Sequence, residues 1–210
     1  MESKVFNMWA NGYDNAVQLT DDNNKYPFAG YKKLMNAIYS KVMKKSPASV
    51  LDIGIGTGTL AVKLYEGGNT ITGIDFSSEM LSISKPKMPN ANFYQFDFGQ
   101  GLPPEMAEMK YDFIISTYAI HHLTDSRKVA FIKSLLSHLN KDGSILIGDV
   151  GFATRAKLDE CKEQYSPGEW DDDEYYFVFS EIEQELKGSC TVSYEQISHC
   201  AGIIEIRLPN

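Results

Sequence analysis

The stretch VLDIGIGTGTL at residues 50–60 constrains the fold more than any other part of the chain. A short aliphatic run ends there just after Asp52. Gly54, Gly56 and Gly58 follow at alternate positions, and a helical pattern comes next. Such a pattern predicts a strand that turns directly into a helix. Because glycine has no Cβ, the turn can adopt positive φ and lets a ligand come close to the backbone. In an open parallel sheet, ligands bind beyond the carboxyl end of such a strand.

Strands and helices alternate along most of the chain. Five segments have the short, β-branched or aromatic composition of strands, namely SVLDI, TITGID, NFYQFD, YDFIIST and GSILIGD. This alternation predicts an α/β fold with a parallel sheet covered by helices on both faces. Near the end, TVSYEQI and GIIEIRL lie too close together for a crossover helix, which predicts an antiparallel hairpin.

The chain shows no sign of division into separate units. No internal repeat, low-complexity tract or Gly/Pro-rich linker interrupts its 210 residues, which favours a single domain. Helical spacing predicts a helix over residues 31–42 that ends before the following proline. Asp125 is expected to be the N-cap of the helix DSRKVAFIKSLLSHL, and Ser180 and Glu183 are expected to form a capping box.

Charge and composition disfavour several classes of partner. The formal net charge is −8 at pH 7 with a pI near 5.0, so no general positive field attracts nucleic acid or an anionic membrane surface. The beginning of the chain lacks an apolar signal core, and no run approaches the ~18 apolar residues of a membrane span, so we expect a cytoplasmic protein. Cys161, Cys190 and Cys200 are well separated, which predicts reduced thiols and no metal site.

The glycine spacing indicates which kind of ligand binds. The dinucleotide fingerprint is G-x-G-x-x-G, whereas this chain has G-x-G-x-G and places Thr59 where the longer motif needs glycine. The carboxylate of Asp52 would repel a pyrophosphate but would suit a ligand that carries an ammonium group. The residues therefore favour a ligand with an amino-acid moiety.

Four ordered motifs carry a resemblance to a known family. LDIGIGTG, ITGIDFSSEML, YQFD and YDFIISTYAIHHL resemble the motif series of class I S-adenosylmethionine-dependent methyltransferases, closely over residues 48–150. The resemblance implies a Rossmann-like, seven-stranded, mostly parallel sheet of order 3-2-1-4-5-7-6, with strand 7 antiparallel and helices on both faces. It also implies N-terminal cap helices in residues 1–46, a cofactor-binding core in residues 47–150, and substrate-side helices and the terminal hairpin in residues 151–210.

The same resemblance implies S-adenosylmethionine as the cofactor, with S-adenosylhomocysteine (SAH) as product, and gives roles to individual residues. The methionine part of the cofactor is expected near Gly54, Gly56, Gly58, Asp52, Ser116, Thr117 and Tyr13. Asp75 is expected to accept hydrogen bonds from both ribose hydroxyls. Adenine is expected to pack against Phe76 and Met80, and its edge is expected to meet Asp97 and the backbone of Phe98.

Catalysis of methyl transfer needs no dedicated side chain unless the acceptor must lose a proton. The resemblance favours His122 as that base, and its ordinary pKa near 6.5 suits proton transfer near neutrality. The alternative is that His121 or His122 only stabilises the loop through backbone hydrogen bonds. The acidic segment EWDDDEYY, residues 169–176, is either a solvated loop or a surface that attracts a cationic acceptor.

Methyl transfer to an unidentified small-molecule acceptor is the function that these features favour. The partners expected are that small molecule alone, with no nucleic acid and no membrane. Three alternatives remain open at this stage. The first is a non-catalytic protein that binds S-adenosylmethionine for regulation, and the second is an NAD-dependent dehydrogenase, which the glycine spacing disfavours. The third is a nucleic-acid methyltransferase, which the acidic balance and the lack of a basic aromatic patch disfavour. Neither the acceptor atom nor the oligomeric state follows from the sequence.

Overall fold

The computed structural model describes residues 24–166 and 168–209, which contain one mixed sheet and six α-helices. The strands, numbered in chain order, are β1 (Ser49–Ile53), β2 (Thr70–Asp75), β3 (Asn92–Gln95), β4 (Tyr111–Thr117), β5 (Leu139–Phe152), β6 (Phe177–Val178), β7 (Thr191–Gln196) and β8 (Ala201–Arg207). The helices are α1 (Tyr31–Met43), α2 (Thr59–Glu66), α3 (Ser78–Ser84), α4 (Asp125–Leu135), α5 (Arg155–Lys162) and α6 (Phe179–Leu186).

The strand order is β3-β2-β1-β4-β5-β8-β7, and the short β6 pairs separately with β5. Strands β1 to β5 pair in parallel, whereas β8 pairs antiparallel with both β5 and β7. With β6 set aside, this is the predicted order 3-2-1-4-5-7-6 with an antiparallel last strand. The α/β class and the terminal hairpin are confirmed.

Strand β6 is the one addition to the predicted sheet in the described part of the chain. Phe177 and Val178 pair in parallel with Gly151 and Phe152 at the end of β5. A two-residue strand has no periodicity that a sequence pattern could reveal. Its position matters because it fixes the segment that precedes it, residues 169–176, against the carboxyl end of β5.

Two helix starts differ from the sequence predictions. Thr124, not Asp125, is the N-cap of α4, and Asp125 is the first helical residue, where its negative charge still suits the helix dipole. The capping box at Ser180 and Glu183 is wrong, because α6 begins at Phe179 and its N-cap is Val178, with no side-chain cap bond. β6 runs directly into α6, so the backbone direction at this start is set by the sheet.

Alternating strand residues supply two hydrophobic clusters. Val50 and Leu146 belong to one cluster, while their neighbours Leu51 and Ile145 belong to the other. This division is the expected consequence of side chains that point to opposite faces of a sheet covered on both sides. Packing of the two clusters on opposite faces of the sheet keeps the carboxyl ends of β1, β2 and β4 side by side.

The three cysteine thiols are free, as predicted. Within the described residues, every helix is too short or too polar to be a candidate for crossing a bilayer.

Candidate functional site

The glycine loop, residues 54–58, connects β1 to α2 in a conformation that requires glycine. Gly54, Gly56 and Gly58 have φ values of 72°, 56° and 81°. A Cβ on Gly54 would lie 2.5 Å from the Cβ of Ala119, which no real contact tolerates. The N–H groups of Gly54 and Ile55 both donate to the carbonyl of Ile74, at 2.8 Å and 3.0 Å. The loop is thereby tied to β2 and leaves space above its backbone.

That space is a cleft of about 720 Å³, including its mouth, beyond the carboxyl ends of β1, β2 and β4. Nine of the residues predicted for the site line it: Asp52, Gly54, Gly56, Asp75, Phe76, Met80, Phe98, Thr117 and His122. The sequence did not indicate the other eight lining residues: Tyr31, Met35, Ile55, Thr57, Thr59, Leu60, Tyr118 and Ala119. Tyr31 and Met35 come from α1, so the first helix of the described residues forms part of the wall.

Three of the predicted site residues that the structure describes do not line this cleft. Gly58 is the N-cap of α2, and the hydroxyl of Ser116 donates to the carbonyl of Ile53 at 3.1 Å. Asp97 caps a short 3₁₀ turn by accepting from the N–H of Gly99 at 2.8 Å, which presents the neighbouring Phe98 to the cleft. Tyr13 lies outside the described residues.

Asp75 ends β2 as a buried carboxylate that organises the glycine loop. Its side-chain oxygens accept from the N–H of Gly56 at 2.8 Å and from the N–H of Ser77 at 2.9 Å. Burial raises the pKa of Asp75, while these backbone hydrogen bonds oppose the rise. Each carboxylate oxygen can accept a second hydrogen bond, so hydroxyl groups of a ligand can still bind here.

Asp52 is the second carboxylate of the cleft, and it is incompletely hydrogen-bonded. Its side chain is only 2% exposed, and its Oδ1 has no hydrogen-bond partner among the described residues. Burial, together with the negative charge of Asp75, raises the pKa of Asp52 to about 8. An orphaned buried acceptor is costly, and a cationic group in the cleft would satisfy it.

The ligand-free protein should therefore lose stability through Asp52 as the pH rises. Because the pKa of Asp52 is raised in the folded state, the stability that protonated Asp52 contributes is complete below its unfolded pKa near 4. This stability is lost as the pH rises through about 8. When Asp52 is fully ionised, this shift in pKa corresponds to a loss of on the order of 5 kcal/mol in the free energy of unfolding. We expect Asp52→Asn to be more stable than the wild type at pH 9 by a few kcal/mol.

Urea unfolding between pH 5 and pH 9 measures this difference. Asp142→Asn is the matched control, because Asp142 is an exposed carboxylate on the turn before the buried part of β5. A stability difference between wild type and Asp52→Asn that stays constant across this pH range would contradict the assignment.

The two adjacent histidines have different positions. His122 lines the cleft, whereas His121 is buried behind it, with Nδ1 2.7 Å from Asp149 Oδ1 and Nε2 3.3 Å from Glu174 Oε1. Burial opposes a charge on His121, but the two carboxylates outweigh it and raise its pKa. Burial and the nearby His121 lower the pKa of His122 to about 4, so His122 is neutral at pH 7.

The acidic segment is anchored at its far end and exposed in its middle. Asp171, Asp172 and Asp173 are exposed, whereas Glu174 reaches His121. The N–H of Tyr175 donates to the carbonyl of His121 at 2.8 Å, and the ammonium of Lys128 bonds to the carbonyl of Tyr175.

Aromatic packing holds the same segment against the residues before α1. The rings of Tyr26 and Trp170 stack at 4.6 Å, and Tyr176 is buried beside both with its hydroxyl against that of Tyr26. Trp170 and Tyr176 are thus used for packing, and Tyr175 is exposed.

Comparisons with known sequences agree that this chain is similar to methyltransferases. A family model described as a methyltransferase domain matches residues 50–143. A protein of Anoxybacillus flavithermus, named an uncharacterized methyltransferase, is 36% identical over 165 residues that cover 76% of this chain and 74% of the relative. A protein of Bacillus mycoides with the same kind of name is 38% identical over 159 residues, covering 76% of this chain and 72% of the relative.

Solved structures share the fold at low sequence identity. The DhpI–SAH complex matches with a TM-score of 0.72 and 18% identity, over 98% of this chain and 94% of that one. The magnesium protoporphyrin IX methyltransferase of Synechocystis, solved with bound SAH, matches with a TM-score of 0.71 and 17% identity, over 99% and 100% of the two chains.

Proposed function

The chain belongs to the class I S-adenosylmethionine-dependent methyltransferases, and from this premise we propose that it methylates a small-molecule acceptor in the cleft beside the glycine loop. The observation that carries the proposal is the pairing of a bare glycine backbone with two buried carboxylates, Asp52 and Asp75. The net charge of −8 disfavours a polyanionic acceptor such as nucleic acid.

Each part of the cofactor has a chemically suitable counterpart in the cleft. We assign the ribose hydroxyls to Asp75, whose carboxylate is held by backbone N–H groups. The ammonium group is assigned to Asp52, because Oδ1 of that carboxylate has no hydrogen-bond partner within residues 24–166 and 168–209. The methionine chain is assigned to the open space over Gly56, where an added Cβ would meet only the carbonyl of Gly54, at 4.0 Å.

Adenine is assigned to the apolar side of the cleft. Phe76, Met80 and Phe98 line it there, and Met80 and Phe98 are nearly fully buried, so they offer surfaces that stay in place when the ligand binds. Flat apolar walls suit an aromatic base through packing and area burial. The cap at Asp97 holds the backbone of Phe98 in position for contacts with the edge of the base.

The protein's contribution to the reaction is alignment and exclusion of water. The bound sulfonium supplies an activated methyl group, so the chain has to hold the acceptor in line with it. Such positioning can contribute roughly 7–11 kcal/mol to lowering the barrier. Tyr31 and Met35 of α1 line the cleft and reduce the part of it that is open to water.

We assign His122 as the base that takes the proton from the acceptor. It is the histidine that lines the cleft, and it lies in the segment that follows β4. Its lowered pKa keeps it neutral at pH 7, although a pKa near 4 also makes it a weaker base than an ordinary imidazole. His121 cannot take this role directly, because Asp149 and Glu174 already engage both of its ring nitrogens.

The experiment that tests the proposed function compares ligands and then products. We expect calorimetry to show saturable binding of SAH and none of NAD. We expect S-adenosylmethionine plus a panel of hydroxyl, amine and thiol compounds to yield SAH with at least one acceptor. NAD binding in place of SAH would support the dehydrogenase alternative. SAH binding without turnover on a broad panel would favour a regulatory binding protein.

A further inference from the structure

We propose that His121, His122 and Glu174 form a binding site for a divalent transition-metal ion beside the cofactor cleft. Each of the three residues offers one ligand atom, and these atoms all lie within 4.8 Å of one another. Two imidazoles and a carboxylate are a ligand set that binds Zn²⁺ and related divalent ions while leaving coordination positions open.

The spacing of one donor pair already fits an ion, and His122, whose ligand atom lies within 4.8 Å of the other two, would have to move toward them to complete the site. Nε2 of His121 and Oε1 of Glu174 are 3.3 Å apart. Two ligand atoms bound at ~2.0–2.2 Å in a tetrahedral arrangement lie roughly 3.3–3.6 Å from each other. The rings of His121 and His122 lie side by side, with centroids 4.2 Å apart and an angle of 67° between their planes.

A histidine that binds a metal usually donates its other ring N–H to a carboxylate or a carbonyl group, and Asp149 is such a partner for His121. Its Oδ1 accepts from Nδ1 of His121 at 2.7 Å, and its two oxygens also accept from the N–H groups of His121 and Val150. Asp149 is only 1% exposed, so its orientation is fixed. With Nδ1 donating to Asp149, Nε2 is the nitrogen that faces Glu174, and an ion bound there would take the place of the proton that Nε2 shares with Glu174.

Glu174 is also held in position before any ion binds. The N–H of its neighbour Tyr175 donates to the carbonyl of His121 at 2.8 Å, and Lys128 bonds to the carbonyl of Tyr175. The side chain of Glu174 remains 21% exposed, which gives an ion a route from solvent. The three donors therefore come from two segments that are already joined by a backbone hydrogen bond.

This inference rests on the proposed function for the role of the ion. A cation lowers the pKa of a coordinated hydroxyl or thiol, so an acceptor bound there would release its proton to solvent. The resulting anion would attack the methyl carbon as the carbon–sulfur bond breaks, and the sulfur would leave as a neutral thioether. Without the ion, His122 takes the acceptor's proton directly, as assigned above; with the ion bound, His122 would be one of its ligands and the coordinated acceptor would lose its proton to solvent.

Zinc binding to the metal-stripped protein tests the site without reference to activity. We expect calorimetry with Zn²⁺ to show one site per chain. We expect His122→Ala and Glu174→Gln each to weaken binding by ~10-fold to 100-fold or more. The matched controls are His199→Ala, which removes a histidine elsewhere, and Asp173→Asn, which removes an exposed carboxylate of the same segment; both should bind Zn²⁺ like the wild type.

The proposal is overturned if the wild type binds no stoichiometric Zn²⁺, or if the two ligand variants bind it as well as the controls do. Circular dichroism of each variant checks that it is folded. SAH calorimetry on the same wild-type sample separates the two hypotheses. Binding of SAH without Zn²⁺ removes the metal site and leaves the proposed function, whereas binding of Zn²⁺ without SAH supports the metal site and removes the proposed function.

Discussion

Replacing Asp75 by alanine should weaken SAH binding by about 10²-fold to 10⁴-fold. A hydrogen bond from a hydroxyl to a carboxylate contributes on the order of 1.5–3 kcal/mol, and both ribose hydroxyls are assigned to this side chain. Together they give roughly 3–6 kcal/mol, at about 1.4 kcal/mol per tenfold change in Kd. The substitution also releases the N–H groups of Gly56 and Ser77, which loosens the glycine loop.

Calorimetry on folded variants measures this effect. Asp75→Asn should fall between alanine and wild type, because an amide oxygen still accepts a hydrogen bond but carries no charge. Asp112→Asn is the matched control: it is an aspartate of the same sheet at the start of β4, bonded to Ser49 and Lys45 and absent from the cleft. A folded Asp75→Ala protein with wild-type affinity would remove the ribose assignment.

Replacing His122 by alanine should lower kcat by about 10²-fold to 10⁴-fold while changing the Kd for SAH only slightly. Proton transfer by a positioned side chain contributes about this much to a rate. Cofactor affinity should be retained because the ribose hydroxyls and the ammonium group are assigned to Asp75 and Asp52. These residues belong to β2 and β1, whereas His122 follows β4. Steady-state turnover with the identified acceptor, together with calorimetry, measures the two quantities separately.

His199→Ala is the control for loss of an imidazole, because His199 bonds to Tyr165 near the hairpin. It should retain wild-type turnover. Unchanged kcat in His122→Ala would show that the acceptor loses its proton elsewhere or has none to lose. A rise in the Kd for SAH as large as the fall in kcat would instead make His122 a cofactor contact.

The sheet could be predicted because its determinants are local. The run before Gly54 and the runs that end at Asp75 and Thr117 each show their strand character within a few residues. The rule that parallel strands bring their carboxyl ends to one edge then places Asp52 and Asp75 together without further information. Strand β6 escaped prediction because Phe177 and Val178 are ordered by β5, and that contact has no local pattern.

The site was predicted less completely, because part of it depends on contacts between distant segments. Asp149, His121 and Glu174 lie on three separate parts of the chain, and no spacing relates them. One signal was available: Asp149 closes the predicted strand GSILIGD, in the same way that Asp75 closes TITGID. Because β5 lies beside β4 and runs parallel to it, a carboxylate near the end of β5 is expected to lie close to the loop that follows β4, where the two histidines lie.

The same long-range contacts decided which histidine enters the cleft. The sequence presents His121 and His122 as equivalent neighbours, and only the family resemblance favoured His122. The structure separates them because Asp149, at the end of β5, holds the ring of His121 away from the cleft, which leaves His122 at its wall.

A crystal structure of the SAH complex tests the central claim most directly. We predict that both ribose hydroxyls contact Asp75, that the methionine chain crosses the backbone of Gly54 and Gly56, and that the sulfur faces the side of the cleft lined by His122. A ligand whose ribose lies away from Asp75, or whose sulfur is turned away from His122 with the side chains otherwise as described, would contradict the account.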